Sequence, residues 1–419
     1  MFLQRRRISN PAIIFCISIL ATFLLPSNEA SAVPAFARQM QMECSGCHFQ
    51  HFPKLNAFGR SFKASGLSQT SQSTLDGENL SIPPNLNASF FMRSKYTDLK
   101  TDTNDPRGVW EVPEEAAILL GGRMADGIGG IVEWGGPLLS AKISMTTEMG
   151  PARAGMTLFT TDGLGAAYGF ELMNTGAVRN HRPFERSSKP TLGNNPELEL
   201  ADAATGLAFH AADTHWFVNA TLFIPDSPEA GYSEMDASGN LAQYFRAAWL
   251  PSFGGWDMGI GGGVYAGKAR VTTVDTGAGL DAFDNVPGLY DLVTKATFFD
   301  FQLQGELGGK NLGVYFMYAI GDEASTNLDE VALFAGADDK SQGWGIDAEY
   351  NLTPTLALLA SYGMHDDGSV GVGEATSTGI GLYWKIKQNL TLQPMYETFS
   401  GDQAGENDSR ITLTFEGAW

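Results

Sequence analysis

Two cysteines and a histidine form the part of this sequence with the clearest chemical meaning. The segment Cys44-Ser45-Gly46-Cys47-His48 places two thiols three positions apart, and an imidazole follows directly. This C-x-x-C-H spacing is the attachment signature of c-type haem, because two such thiols reach the two vinyl groups of one porphyrin and the histidine ligates its iron. The sequence therefore predicts one covalently bound c-type haem, anchored by Cys44 and Cys47, with His48 as the proximal ligand.

Other uses of a close cysteine pair fit this segment less well. In an exported protein the pair could be a disulfide or a thioredoxin-like redox centre, but the latter needs a surrounding βαβ pattern, which the sequence lacks. A structural zinc site would need two further ligands at finger-like spacing. His48 and His51 lie too close behind Cys47 for that geometry.

The sequence does not specify the second axial ligand of the iron. His51 lies three positions after His48 and points to nearly the same side of a helix, so we expect it to bond a haem propionate or a backbone carbonyl. Met40, Met42 and Met92 are weak candidates for the distal ligand. Further residues of these types are expected to be ordinary lining or loop positions: His181, His210, His215 and Met364.

The N-terminus has the order of a secretory signal. Three arginines at positions 5 to 7 precede the apolar run AIIFCISILATFLL, and the small residues Ala30-Ser31-Ala32 follow. The apolar run is too short for a membrane-spanning helix, which needs about 20 residues. We predict that residues 1–32 are removed as a signal peptide. Cys16 leaves with that segment.

The charge of the chain is strongly acidic, with a net value of −20. Removal of the arginine-bearing signal makes the mature protein more acidic still. Such a balance excludes nucleic acid as a partner, since phosphates need a basic face, and it suits cations. Most of the carboxylates are expected simply to keep the protein soluble.

The region after about residue 86 alternates between apolar and polar side chains with a period of two. In FFDFQLQGEL, for example, Phe299 and Phe301 oppose Asp300 and Gln302, and RITLTFEGAW near the C-terminus follows the same pattern. A strand with one apolar face and one polar face produces this alternation. About sixteen such segments of about ten residues follow one another, which is the length of a tilted strand crossing a bilayer.

A soluble two-sheet domain also alternates, but three features favour a membrane barrel. The segments continue without a helical interval, their polar faces carry Gln, Asp, Glu and Lys that a dry core could not satisfy, and the chain ends on Trp419, which resembles the terminal aromatic of outer-membrane barrels. No second apolar stretch of about 18 residues occurs, so a helical membrane protein is excluded. Aromatic residues also lie near the strand ends: Tyr315, Tyr318, Tyr350, Tyr362, Tyr383 and Tyr396.

The predicted fold is therefore all-β, a transmembrane antiparallel barrel of about 16 strands preceded by a small helical haem segment. The expected organisation is a signal peptide (1–32), a monohaem cytochrome c segment (33–67), a polar linker (68–85) and a porin-like barrel (86–419). The segment FPKLNAFGRSFKASG is expected to form one or two helical turns that end at Gly66. The predicted location is the outer membrane, with its lipid around the barrel.

The segment PAFARQMQMECSGCHFQHFPKLNAFGRSFKASG, a polar linker and a long barrel-like region together resemble the fused monohaem cytochrome-porin family of outer-membrane iron(II) oxidases. The close match covers about residues 34 to 67; beyond it the likeness is one of overall plan. The family usually has Thr-Gly where this chain has Met40-Gln41. The resemblance implies that Cys44 and Cys47 anchor the haem, that His48 ligates its iron, and that electrons pass from extracellular iron(II) to a soluble periplasmic carrier.

Two other functions stay open at the level of sequence. The first is a porin whose haem-bearing plug serves solute diffusion. The second is an exported soluble monohaem cytochrome whose alternating region forms a two-sheet domain. No catalytic side chain apart from the haem site is indicated, and the oligomeric state is not encoded in a recognisable pattern.

Overall fold

The computed structural model describes most of the chain after the predicted signal peptide. The described residues are 35–78, 80–84, 86–100, 108–135, 138–177, 200, 203–225, 239–271, 290–323, 330–336, 338–369, 374–387, 389–401 and 409–419. The predicted signal peptide and His181 lie outside these ranges.

Three short helices form the N-terminal segment: α1 (Ala35–Met40), α2 (Cys44–Cys47) and α3 (Ala57–Ala64). The side chain of Asn56 caps α3 by accepting a hydrogen bond from the Gly59 N–H at 2.9 Å. Gly66 follows α3 with φ of +69°, a conformation that glycine adopts without strain. The expected helical turns before Gly66 are thus confirmed. Among the described residues, no helix is long and apolar enough to cross a membrane.

Most of the described residues after Gly66 form one closed antiparallel barrel of sixteen strands, in which the last strand (Ser409–Ala418) pairs with the first (Ala88–Lys100). The predicted strand number is confirmed, and a two-sheet domain is ruled out because the sheet has a single closed order. The barrel strands are β3 (Ala88–Lys100), β4 (Gly108–Ala125), β5 (Ile128–Gly135), β6 (Leu138–Met149), β7 (Ala152–Thr161), β8 (Ala204–Ala212), β9 (Trp216–Ile224), β10 (Ala242–Trp249), β12 (Trp256–Ala266), β15 (Ala296–Leu307), β16 (Lys310–Gly321), β18 (Gln342–Thr353), β19 (Leu356–Asp366), β20 (Glu374–Lys387), β21 (Leu390–Gly401) and β22 (Ser409–Ala418).

Six shorter strands lie outside this set. The two residues of β11 (Ser252–Phe253) pair with β12 in a turn. A hairpin of β1 (Leu75–Gly77) and β2 (Leu80–Ile82) precedes the barrel. A small sheet lies within the long connections and is formed by β13 (Lys268–Val271), β14 (Tyr290–Val293) and β17 (Glu330–Ala332).

The two faces of the barrel wall differ in chemistry, as the alternation predicts. In β10, Tyr244 and Arg246 are buried in the lumen, while Phe245 and Trp249 are exposed on the outside. The outer face carries an apolar band, whose exposed members include Ile118, Leu120, Trp134, Leu158, Phe209, Leu222, Phe299, Ile346, Ile380 and Ile411. The inner face carries buried polar groups, among them Arg93, Lys142, Asn219, Asp300, Gln302, Glu349, Glu397 and Thr412. An apolar exterior around a polar interior is the architecture of an outer-membrane barrel, and this is the location of the protein.

The two ends of the barrel are also distinct. Tight turns such as Gly308-Gly309 connect strands at one end, while the other end carries longer connections such as 162–203. Both ends of the barrel sequence lie at the short-turn end, where the backbones of Phe90 and Trp419 exchange hydrogen bonds of 2.7 and 2.9 Å. In outer-membrane barrels the short turns face the periplasm.

The first residues of the predicted linker, 68–72, contact α1 and the barrel wall, whereas most of the described residues from 73 to 78 are exposed. Ser68 is buried, and the Gln39 side-chain amide donates to the carbonyls of Leu67 and Gln69 at 2.9 and 2.6 Å. The guanidinium of Arg123 donates to the Ser68 carbonyl at 3.0 Å. Polar residues of the predicted linker form hydrogen bonds with α1 and with the barrel wall, through Thr70, Gln72 and Ser81.

Candidate functional site

The two thiols of the C-x-x-C-H motif lie on a single helical turn. Cys44 and Cys47 begin and end α2, and the His48 N–H donates to the Cys44 carbonyl at 2.8 Å. The thiols are not joined by a disulfide, and both residues are partly exposed. Burial, with a smaller contribution from Cys44, raises the pKa of the Cys47 thiol.

The ring of His48 is oriented by a backbone carbonyl. Its Nδ1 lies 3.2 Å from the carbonyl oxygen of Lys54, and His48 forms an isolated β-bridge with Leu55. When Nδ1 donates this hydrogen bond, the lone pair of the neutral ring lies on Nε2. A hydrogen bond of this kind is the usual way in which a protein fixes the tautomer of a metal-ligating histidine.

The residues of this segment fit a c-type haem. Two thiols on one turn could serve as the thioether anchors, and a histidine with its Nδ1 held by a carbonyl could serve as the proximal ligand. The ring of Phe52 lies edge-on to the ring of His48 with 5.3 Å between centroids, and 49% of Phe52 is exposed. This aromatic ring provides apolar surface beside the ligand, which a porphyrin requires.

The three methionines named as weak distal candidates lie in different places. The Met42 sulfur is 3.9 Å from the Cys47 sulfur, so Met42 packs on α2. Met40 is buried in an apolar cluster with Phe62 and Leu67. Met92 pairs with Ala116 in the register that pairs Phe90 with the exposed Ile118, which places Met92 on the outer face of the barrel wall. Of the three, only Met42 contacts the cysteine helix.

His51 bonds the barrel wall. Its Nε2 lies 2.8 Å from Oε2 of Glu349 on β18, its Nδ1 faces the Phe52 carbonyl, and its ring stacks on Tyr383 with centroids 3.6 Å apart. The expectation of a carbonyl partner agrees with this geometry. The carboxylate was not foreseen, because the sequence does not show which inward residue of a distant strand faces His51.

Further contacts hold the N-terminal segment inside the lumen at the short-turn end. The Lys54 ammonium, which is fully buried, contacts Oε2 of Glu349 and lies 3.1 Å from the Gln50 amide oxygen. The Arg60 guanidinium binds both carboxylate oxygens of Asp257 at 2.8 and 2.7 Å. Burial lowers the pKa of Lys54, and the nearby Glu349 carboxylate opposes that shift. The segment is therefore fixed to two strands, β12 and β18, which are three positions apart in the barrel order.

A second chain segment enters the lumen from the opposite end. Residues 162–177, here called the inward segment, follow β7 and include a 3₁₀ turn at Ala166–Gly169. Buried Arg246 on β10 pairs with Glu171 of the inward segment at 2.9 Å and with Asp300 on β15 at 2.6 Å. Burial raises the pKa of Glu171, and the adjacent Arg246 opposes that rise. This ion-pair cluster attaches the inward segment to the wall.

The inward segment and the N-terminal segment contact each other. The Asn174 amide oxygen accepts a hydrogen bond from the Leu55 N–H at 2.6 Å, and its NH₂ group donates to the Leu55 carbonyl at 3.2 Å. An apolar cluster extends the contact through Ala64, Phe170, Leu172, Met173, Phe217 and Leu250. Together the two segments form a plug within the lumen.

The other histidines and Met364 lie on the wall or in turns. His210 faces the lumen, where its ring stacks on Phe170 at 3.9 Å and its Nε2 lies 3.1 Å from the Thr157 hydroxyl. His215 lies in an exposed turn. Met364 on β19 pairs with Trp344 on β18 and lies two residues from the exposed Tyr362 on the same face. His210 thus lines the lumen and His215 lies in a turn, whereas Met364 is on the outer face of the wall.

Among the residues that the structure describes, no group of three or more His, Cys, Asp or Glu side chains is arranged to hold a metal ion. The acidic stretches 101–107 and 402–408 lie outside the described ranges.

Comparisons with known proteins address the barrel alone. No protein-family model matches the chain, and no curated protein matches it. It is similar to outer-membrane expressed OmpT of Vibrio cholerae, with 12% identity over 83% of this chain and 100% of that one and a TM-score of 0.44. It is also similar to a mutant porin of Rh. blastica, with 10% identity over 80% of this chain and 100% of that one and a TM-score of 0.48. A third similar structure is OccAB4 of Acinetobacter baumannii, with 8% identity over 79% and 97% of the two chains and a TM-score of 0.43. At these scores the fold assignment depends on the strand order given above.

Proposed function

We propose that the protein is an outer-membrane c-type cytochrome fused to a porin-like barrel, which passes electrons from extracellular iron(II) through one haem to a soluble periplasmic carrier. The observation that carries this proposal is the place of the C-x-x-C-H helix. It lies at the short-turn end of the barrel, where Lys54 and Arg60 of the same segment bind Glu349 and Asp257 of the wall. The His48 ring is held there by the Lys54 carbonyl at 3.2 Å. A haem at this position would lie at the end of the barrel that faces the periplasm.

The proposed roles of the chain follow from the geometry of the site. Cys44 and Cys47 would tether the porphyrin, and His48 would hold the iron through its Nε2. The Lys54 carbonyl keeps the Nδ1 proton in place and so holds the ring in the ligating orientation. The haem, when bound, supplies reversible one-electron oxidation and reduction of its iron.

The electron balance of the proposed reaction is simple. One iron(II) ion loses one electron and becomes iron(III) outside the cell, and one oxidised carrier gains one electron in the periplasm. The plug supports transfer of electrons over bulk passage of solutes, because the N-terminal segment and the inward segment meet through Asn174 and Leu55 in the lumen.

Iron(II) as the donor is supported by two observations of different kinds. The motif region resembles the fused monohaem cytochrome-porin family, whose members oxidise iron(II). The chain carries a net charge of −20, and acidic surfaces raise the local concentration of cations. Iron(II) also accepts oxygen ligands from carboxylates.

The proposal is tested with the mature protein inserted into sealed liposomes that contain a soluble c-type cytochrome. Iron(II) is added outside, without oxygen, and reduction of the trapped cytochrome is followed optically. We expect reduction that depends on the barrel protein and is lost in the Cys47→Ala variant. A trapped cytochrome that stays oxidised, in liposomes where a small sugar passes freely, would instead identify a diffusion porin.

A further inference from the structure

We propose that Glu349, on strand β18 of the barrel wall, is a positioning residue for the proximal histidine and thereby sets the reduction potential of the haem. This inference rests on the proposed function, since it requires haem at the C-x-x-C-H motif. The barrel wall would then influence the chemistry of the haem in addition to enclosing the haem segment.

Glu349 contacts the loop that follows the haem motif, residues 49–54, at three points. Its Oε2 contacts the Lys54 ammonium and lies 2.8 Å from Nε2 of His51. Its backbone carbonyl accepts a hydrogen bond from the Gln50 amide at 3.0 Å. Oε1 of Glu349 has no hydrogen-bond partner among the described residues, so the hydrogen bonds of this carboxylate all go to the loop.

The same loop orients His48. The carbonyl oxygen of Lys54 lies 3.2 Å from His48 Nδ1, and it also accepts the Phe49 N–H at 2.8 Å. Lys54 therefore has two functions at once: its side chain is clamped by Glu349, and its backbone carbonyl holds the proximal ligand. Two contacts thus connect a barrel residue to His48.

Burial makes the contacts of Glu349 with Lys54 and His51 energetically important. The side chains of Lys54 and Glu349 are 0% and 1% exposed, and that of His51 is 5% exposed. Removal of one partner from a buried ion pair leaves an uncompensated charge in a medium of low dielectric constant, which is strongly unfavourable. Without the Glu349 charge, the Lys54 side chain has to move toward water, and the loop has to move with it.

Such a movement has a defined electronic consequence. A hydrogen bond from Nδ1 to a carbonyl raises the basicity of the ligating imidazole, and a more basic ligand favours the oxidised iron. Loss of this bond therefore favours the reduced iron. The reduction potential rises without a change in the ligands themselves.

The test compares three full-length variants, each matured in a host that attaches c-type haem. Glu349→Gln removes the charge with little change in size, and Glu349→Asp retains the charge. Asp257→Asn is the matched control: it breaks the Arg60 anchor on another strand, away from the Lys54 carbonyl. Covalent haem per protein and the midpoint potential are measured for each.

We expect Glu349→Gln to retain haem and to raise the ratio of reduced to oxidised haem at a fixed applied potential about tenfold, a positive shift of about 59 mV for one electron. Glu349→Asp should restore most of the original value, and Asp257→Asn should leave it unchanged. If Glu349→Gln does not assemble, Lys54→Met carries the same expectation. Wild-type protein without haem would refute the proposed function. Haem-loaded Glu349→Gln with an unchanged potential, or an equal shift in Asp257→Asn, would refute this inference alone.

Discussion

The backbone of Gly59 lies directly against the carbonyl of Cys47: a β-carbon on Gly59 would come 2.2 Å from that oxygen. The Asn56 N–H donates to the same carbonyl at 3.0 Å. Helix α3 therefore packs on the end of the cysteine helix with no space between the backbones. The position of the two thiols depends on this close approach.

We predict that Gly59→Ala lowers the haem content several-fold. The added methyl group meets a backbone atom, which cannot rotate away, so α3 has to separate from α2 and the segment is displaced. Covalent haem per barrel, measured as the alkaline pyridine complex, checks the prediction. Ser61→Ala, in the same helix, should attach haem normally, and a normal haem content in Gly59→Ala would show that the packing is less important than we infer.

We predict that Cys47→Ala greatly reduces covalent haem but leaves a folded barrel in the membrane. The sixteen-stranded wall contains no thiol, and its closure from β22 to β3 does not involve α2. Heat-modifiable migration on a gel reports the folded barrel, and haem staining reports the cofactor. Ser45→Ala is the control within the same helix. Loss of the whole protein from the outer membrane in Cys47→Ala would mean that the two parts do not fold independently.

We predict that Arg246→Gln loosens the plug and makes the barrel conduct ions. Glu171 and Asp300 then lie buried without their cation, and breaking a buried pair in this way costs about 3–5 kcal/mol. Conductance of single proteins in planar bilayers, together with thermal unfolding, measures both effects. Arg270→Ala, which removes an exposed ion pair with Asp291, should change neither. Equal conductance in wild type and Arg246→Gln would show that the ion-pair cluster does not keep the lumen closed.

The alternation of side chains was sufficient to predict the barrel, because a strand of period two exposes one face to lipid and one to the lumen. Phe299 and Asp300 lie on the faces that the pattern predicts. The segment FPKLNAFGRSFKASG likewise predicted the helical turns before Gly66, which α3 forms. Each of these features depends on residues that are close together in the sequence, so a local sequence pattern predicts it.

The contacts across the lumen could not be predicted in the same way. The partners of His51 and Lys54 depend on strand register and on the height at which the N-terminal segment docks, and 295 positions separate Lys54 from Glu349. The packed stretch 68–72 was interpreted as a linker because its polar composition does not distinguish hydrogen bonds to protein from hydrogen bonds to water. The inward segment had no signal of its own, since a connection that folds into a lumen resembles one that extends into solvent.

The central claim is that a single haem on the C-x-x-C-H helix accepts electrons from iron(II). It is tested most directly by the optical spectrum of the detergent-solubilised protein, recorded without oxygen before and after iron(II) is added. We expect a c-type spectrum with one haem per chain and prompt appearance of the reduced α-band. A colourless protein, or an oxidised haem that iron(II) leaves unchanged while dithionite reduces it, would contradict this account.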